Sequence, residues 1–140
     1  MEIQEEKWLE NLAENKNDIV LGIEVKGQLI GTMGIHKINW KDRVAITGAL
    51  MGDKKYWGKG YGTDAKMALL EYAFNTLNLR KLMSSVIAYN KRSLQYSLHC
   101  GYKIEGTKRK QFFRKGEYWD EIVLGLFKEE WLPYWKKHIK

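Results

Sequence analysis

The sequence predicts an α/β domain in which most strands run antiparallel and helices cover the sheet. Three observations carry this reading: alternating apolar strands arrive as a hairpin, a glycine-rich turn leads from a strand straight into a helical repeat, and a second hairpin closes the chain. A length of 140 residues holds one domain, taken as 1–140 with a tail over 131–140.

Residues 2–15 set Ile3, Trp8, Leu9, Leu12 and Ala13 among acids at helical spacing, which predicts a surface helix. Ile19, Leu21, Ile23 and Val25 then alternate with Val20, Gly22 and Glu24. Lys26-Gly27 makes a turn, and Leu29 to Ile38 is the returning strand. After the polar stretch Asn39 to Arg43, Val44 to Met51 is apolar on both faces, as expected near the middle of a covered sheet. Gly58-Lys59-Gly60-Tyr61-Gly62-Thr63 runs into Asp64 to Leu79, where Ala65, Ala68, Leu69, Tyr72, Ala73, Thr76 and Leu77 keep helical spacing.

Leu82 to Ala88 is a further strand, and Ser93 to Cys100 a short helix stopped by Gly101, where a left-handed residue is wanted. Tyr102 to Arg114 and Tyr118 to Phe127 form the closing hairpin about Lys115-Gly116. Behind it, Trp131, Leu132, Tyr134 and Trp135 gather large apolar groups, and Pro133 interrupts any long helix there. Water is a poor place for such a cluster, so either two copies associate as a homodimer or the tail folds back.

With 44% hydrophobic residues and a single proline, the chain is too apolar and too little broken to be disordered. Cys100 is the only cysteine, which excludes an internal disulfide, and no His/Cys cluster has metal-ligand spacing, so no metal is expected. A reducing cytoplasm is the default, and no apolar run is long enough to span a membrane. Twenty-four Lys and Arg against 17 Asp and Glu give +7, which favours an anionic partner. Either nucleic acid or a phosphorylated cofactor satisfies that field. The runs Lys108-Arg109-Lys110, Arg114-Lys115 and Lys136-Lys137 are read as solvated charge, which disfavours nucleic acid.

Glycines at alternate positions between a strand and a helix let a ligand approach the backbone, and the helix start presents unpaired amides. That is an anion cradle. It lacks the spacing of the dinucleotide fingerprint, and no Gly-Lys-Ser/Thr ends it as in a nucleotide-hydrolase phosphate loop.

At these residues the chain resembles the GCN5-related N-acetyltransferase (GNAT) family, in the branch of ribosomal-protein N-terminal acetyltransferases and spermidine acetyltransferases. Tyr56-Trp57-Gly58-Lys59-Gly60-Tyr61-Gly62-Thr63-Asp64-Ala65 is similar to its acetyl-CoA loop, with Trp57 where the general motif has Gln or Arg. Asn90-x-x-Ser93 followed by Cys100-Gly101-Tyr102 is similar to the segment joining its fifth strand to the next helix. Gly116-Glu117-Tyr118-x-Asp120 and Glu129-Glu130-Trp131 mark the branch.

The resemblance implies a GNAT-like mixed sheet, acetyl-CoA as cosubstrate, and a primary amine as acceptor. It implies that the strand edge at Ala49, Leu50 and Met51 pairs with the pantetheine arm. The pyrophosphate is then expected on the amides of Gly58, Lys59, Gly60, Tyr61, Gly62 and Thr63, beside Trp57, with Asn90 and Ser93 completing the set. For the proton donor, the family often places a Tyr where this chain has Ser97, and its Tyr stands one earlier, at Tyr96. Tyr96 is preferred, because a phenol is closer in pKa to a thiol than an alkanol is. For the base, Glu24, His36, Glu105, Glu117, Asp120 and Glu121 are in range, of which Asp120 and Glu105 are carried forward. Relatives have a strand and a helix ahead of the part that matches residue 2, so the fold is expected to lack its usual first strand and helix. A catalytically impaired CoA-binding or partner-binding module on the same fold is the alternative.

Overall fold

The computed structural model describes residues 5–9, 17–51 and 60–140. In chain order the elements are β1 (Glu5–Leu9), β2 (Ile19–Val25), β3 (Gln28–Asn39), β4 (Val44–Met51), α1 (Tyr61–Glu71), β5 (Lys81–Ile87), α2 (Lys91–His99), β6 (Lys103–Arg114), β7 (Glu117–Phe127) and α3 (Lys128–His138). The strands make one seven-stranded sheet in the order β1-β2-β3-β4-β5-β7-β6. Every neighbouring pair is antiparallel except β4 with β5, so the α/β reading with a mostly antiparallel sheet holds.

Both expected hairpins form, and each turns on a Lys-Gly pair. Lys26 and Gly27 have φ of 52° and 81°, and Lys115 and Gly116 have 53° and 77°. Positive φ at both central residues gives the turn whose twist matches that of the flanking strands, and glycine takes the second position without strain. Gly101, with φ 108°, ends α2 as expected.

Two expectations need correction. Glu5–Leu9, read as part of a surface helix over 2–15, is an edge strand antiparallel to β2, with Glu5 opposite Glu24 and Leu9 opposite Val20. Helical spacing is only a local preference, whereas an open edge on β2 offers a row of unpaired backbone groups, and pairing them wins. The remainder of that stretch lies outside the described residues. Pro133 does not stop the tail helix either, since α3 runs through it from Lys128 to His138. A proline loses one amide donor, and here the apolar face it rides on offsets that loss.

That face belongs to Trp131, which is 0% exposed, with its ring 5.2 Å from Phe74 and 5.4 Å from Trp135. The tail therefore folds back onto the core. α1 lies beneath it and buries Tyr61, Ala65, Leu69 and Leu70 on the sheet, and it continues as a single π-helical turn over Tyr72–Thr76 that buries Ala73 and Phe74. Glu130 fixes the start of α3 by accepting from the Phe127 amide at 3.0 Å and pairing with Lys103 Nζ at 2.9 Å.

Candidate functional site

The parallel junction between β4 and β5 is short. β4 and β5 pair only through Val44–Ile46 against Lys81–Met83, after which they diverge. β4 stays on β3 as far as Met51 opposite Gly31, and β5 stays on β7 as far as Ile87 opposite Glu121. The diverging edges therefore face each other with backbone groups that neither supplies to the other. A cleft of about 760 Å³ opens there, lined by Thr47, Gly48 and Ala49 from β4 and by Ser84 and Ser85 from β5.

Two helices wall it. From the start of α1 come Gly60, Gly62, Thr63 and Lys66; from α2 and its cap come Asn90, Arg92, Ser93, Tyr96, Ser97 and His99. Gly60, with φ 84°, turns the chain into α1, so the first amides of the helix and the positive end of its dipole face this region. Asn90 Oδ1 accepts from the Ser93 amide at 3.0 Å and caps α2, which leaves its Nδ2 as the group able to donate into the cleft. Tyr96 lies across from α1 and donates its hydroxyl hydrogen to the Gly62 carbonyl at 2.9 Å.

A polar cluster sits where the strands part. Lys66 Nζ donates to Thr47 Oγ1 at 3.1 Å, and that hydroxyl also meets the Tyr102 hydroxyl and the Met83 carbonyl. Burial raises the pKa of Tyr102, so it keeps its hydrogen and donates it to Thr47, and Thr47 donates its own to Met83. Lys66 is 2% exposed, and removal from water brings its ammonium down to about 8. The same burial pushes the nearby Cys100 thiol up to about 11. No carboxylate is among the described residues that line the cleft, so the described lining is positive.

The residues expected from the sequence divide clearly. Ala49, Gly60, Gly62, Thr63, Asn90, Ser93, Tyr96 and Ser97 come together on the cleft. Leu50 and Met51 continue the same β4 backbone edge. Tyr61 turns its side chain into the core, at 2% exposed, and only its backbone belongs to the loop. Trp57, Gly58 and Lys59 lie outside the described residues. Asp120 stands on β7 away from the cleft lining, where Oδ1 accepts from the Lys110 amide at 2.9 Å across the irregularity between β6 and β7. Glu105 is paired with Lys81 at 2.9 Å, Glu121 faces Lys108 at 3.8 Å, and His36 meets Asp18 at 3.2 Å.

Lys66, Thr47 and Tyr102 escaped the sequence reading. A signal was present for the first: Lys66 falls four residues after Gly62 and three before Leu69, inside the apolar stripe of α1 rather than opposite it.

A split sheet, a helix start and a buried lysine with no carboxylate beside it among the described residues make a cleft that suits an extended ligand with an anionic end. The family model described as acetyltransferase (GNAT) domain matches residues 2–103, and the chain belongs to that family. It is similar to the spermidine N(1)-acetyltransferase of Escherichia coli K12, 29% identical over 79% of this chain and 59% of that one. It is also similar to the putative ribosomal N-acetyltransferase YdaF of Bacillus subtilis, 30% identical over 82% of this chain and 62% of that one. Among solved structures, the spermidine N-acetyltransferase of Vibrio cholerae in complex with CoA and spermine superposes with a TM-score of 0.79 at 25% identity, over 85% of this chain and 70% of that one. The chain spans 45% to 59% of the length of the first curated relatives it matches.

Proposed function

We propose that this chain transfers the acetyl group of acetyl-CoA to a primary amine, either the N-terminal amine of a protein or a small amine. The observation that carries the reading is the split between β4 and β5 opening onto the start of α1. A pantetheine arm is an extended chain with amide groups, and the edge at Ala49, Leu50 and Met51 offers it the hydrogen bonds that β5 does not take. A pyrophosphate suits the amides from Gly58 to Thr63, Lys59 and the positive lining of the cleft. Asn90 Nδ2 and Ser93 complete the contacts from α2.

The thioester supplies an acyl group activated toward nitrogen. What the chain must do is hold that carbonyl beside a neutral amine, keep water out, and provide a proton for the sulfur. Besides Ser93, α2 brings two hydroxyls to the cleft that are candidates for this, Tyr96 and Ser97. Proton loss from the amine goes to solvent in this reading, because the described lining contains no carboxylate and Asp120 and Glu105 are engaged elsewhere.

Thiol release from acetyl-CoA in the presence of a panel of peptides with free N-termini, small monoamines and polyamines tests the proposal. Release with one class identifies the acceptor. Tight CoA binding with no release for any amine selects the impaired module, which the serine at the expected tyrosine position favours. Absence of CoA binding removes the transferase and the CoA-binding module and leaves a partner-binding one.

A further inference from the structure

An ammonium taken out of water carries a desolvation cost that an anion must offset. Lys66 lines the cleft beside Gly62 and Thr63, is 2% exposed, and has no carboxylate at ion-pair distance among the described residues. The groups packed around Nζ are Thr47 from β4, the rings of Tyr96 and Tyr102 at 6.0 Å and 5.2 Å, and Cys100 at the end of α2. Burial keeps Tyr102 and Cys100 neutral, so none of these supplies the missing charge. Two hydroxyl hydrogens beside it are already committed, that of Tyr96 to the Gly62 carbonyl and that of Thr47 to the Met83 carbonyl.

We propose that Lys66 is a catalytic residue whose ammonium meets the departing sulfur of CoA in the cleft and gives it the proton that makes the free thiol. The inference rests on the acetyl-CoA reading above. In the step, the amine nitrogen forms the C–N bond to the acetyl carbon and the C–S bond breaks with its electron pair on sulfur. A proton passes from Lys66 Nζ to that sulfur. The new amide nitrogen releases its extra proton to solvent, and Lys66 takes one back, so amine and acetyl-CoA become acetamide and CoA thiol with nothing left over. A buried lysine held near 8 suits this, since its neutral form is at ease in the cleft and it reprotonates near neutrality.

The test needs no acceptor amine. Thiolate absorbs in the ultraviolet where thiol does not, so the ionisation of bound CoA can be followed against pH with the unliganded protein subtracted. Cys100, held up to about 11, contributes little below about pH 10. A neighbouring cation stabilises the thiolate, so the bound thiol should ionise about one pH unit or more below free CoA. Lys66→Met and Lys66→Gln should abolish the shift, and Lys66→Arg should keep it. The pair of uncharged variants guards against one failing to fold. A bound thiol that ionises where free CoA does, or a shift that survives in the uncharged variants, overturns the inference and leaves the acetyl-CoA reading intact. CoA that fails to bind at any pH removes that reading and this inference together.

Discussion

The Tyr96 hydroxyl and the Gly62 carbonyl, 2.9 Å apart, join the two helices that wall the cleft, one hydrogen bond reaching from α2 to the first turn of α1. Its geometry makes Tyr96 a brace on the cleft wall. Tyr96→Phe should cost about 1 kcal/mol of stability, the worth of one such bond, and lower turnover by less than about tenfold. Denaturant unfolding and steady-state kinetics on the same preparation check this. A drop of about 10²-fold at unchanged stability would instead give the hydroxyl the part of the acid.

Gly60 has open space where a side chain would begin, yet its φ of 84° lies in the left-handed region. Gly60→Ala therefore measures backbone strain alone, about 1 kcal/mol. Gly60→Glu adds a carboxylate at the helix start, and CoA affinity by calorimetry should fall at least about tenfold further than in the alanine variant. Equal affinity in the two variants would show that no anion sits there.

Trp131 fills a site between Phe74 and Trp135, and its Nε1 has no hydrogen-bond partner among the described residues. Trp131→Ala should destabilise the fold by about 3–5 kcal/mol, the usual range for emptying such a site. A chain ending at Glu130 should lose cooperative unfolding. Circular dichroism of the truncated chain distinguishes this from a tail that serves only to join two copies, where folding would survive and sedimentation would change.

Glu130 titrates below the ordinary glutamate range because the Phe127 amide and Lys103 hold its charged form. A depressed carboxylate stabilises the fold above its unfolded pKa and loses that contribution as pH falls through the folded value. Glu130→Gln keeps the amide bond and removes the charge. At pH 7 it should be about 0.5 kcal/mol less stable, water screening keeping the figure small, and the gap should close below about pH 4. Unfolding free energies at both ends of that range check the sign.

What the sequence disclosed follows from where local physics decides. The Lys-Gly turns at 26–27 and 115–116 and the stop at Gly101 were all legible because each depends on a residue and its immediate neighbours. Glu5–Leu9 was misread because its pairing depends on an edge that only the assembled sheet creates. Pro133 was misread for a related reason: the packing of Trp131 against Phe74, residues distant in sequence, decides that helix. Half of the site was visible as a glycine-rich turn entering a helix. The buried cluster of Lys66, Thr47 and Tyr102 was not, since it draws on α1, β4 and the chain after α2, and no spacing in the sequence links the three.

The three residue pairs joining β4 to β5 also set how the molecule comes together and comes apart. On one side of that seam lie β1 to β4 and on the other β5 to β7, so each side is drawn from consecutive strands of the chain. The β2–β3 and β6–β7 hairpins can zip early, because their contacts close short loops, whereas the pairings of β5 with β4 and with β7 wait for ends brought from far along the chain. Once formed, the seam is the narrowest band of backbone pairing among the described strands, while α1 packs on β3, α3 packs on β7, and the two helices touch. A ligand lying in the split would add cross-links where the sheet has fewest. Backbone amides flanking the seam should therefore gain the most protection from hydrogen exchange when the cleft is filled, and those in the outer hairpins the least.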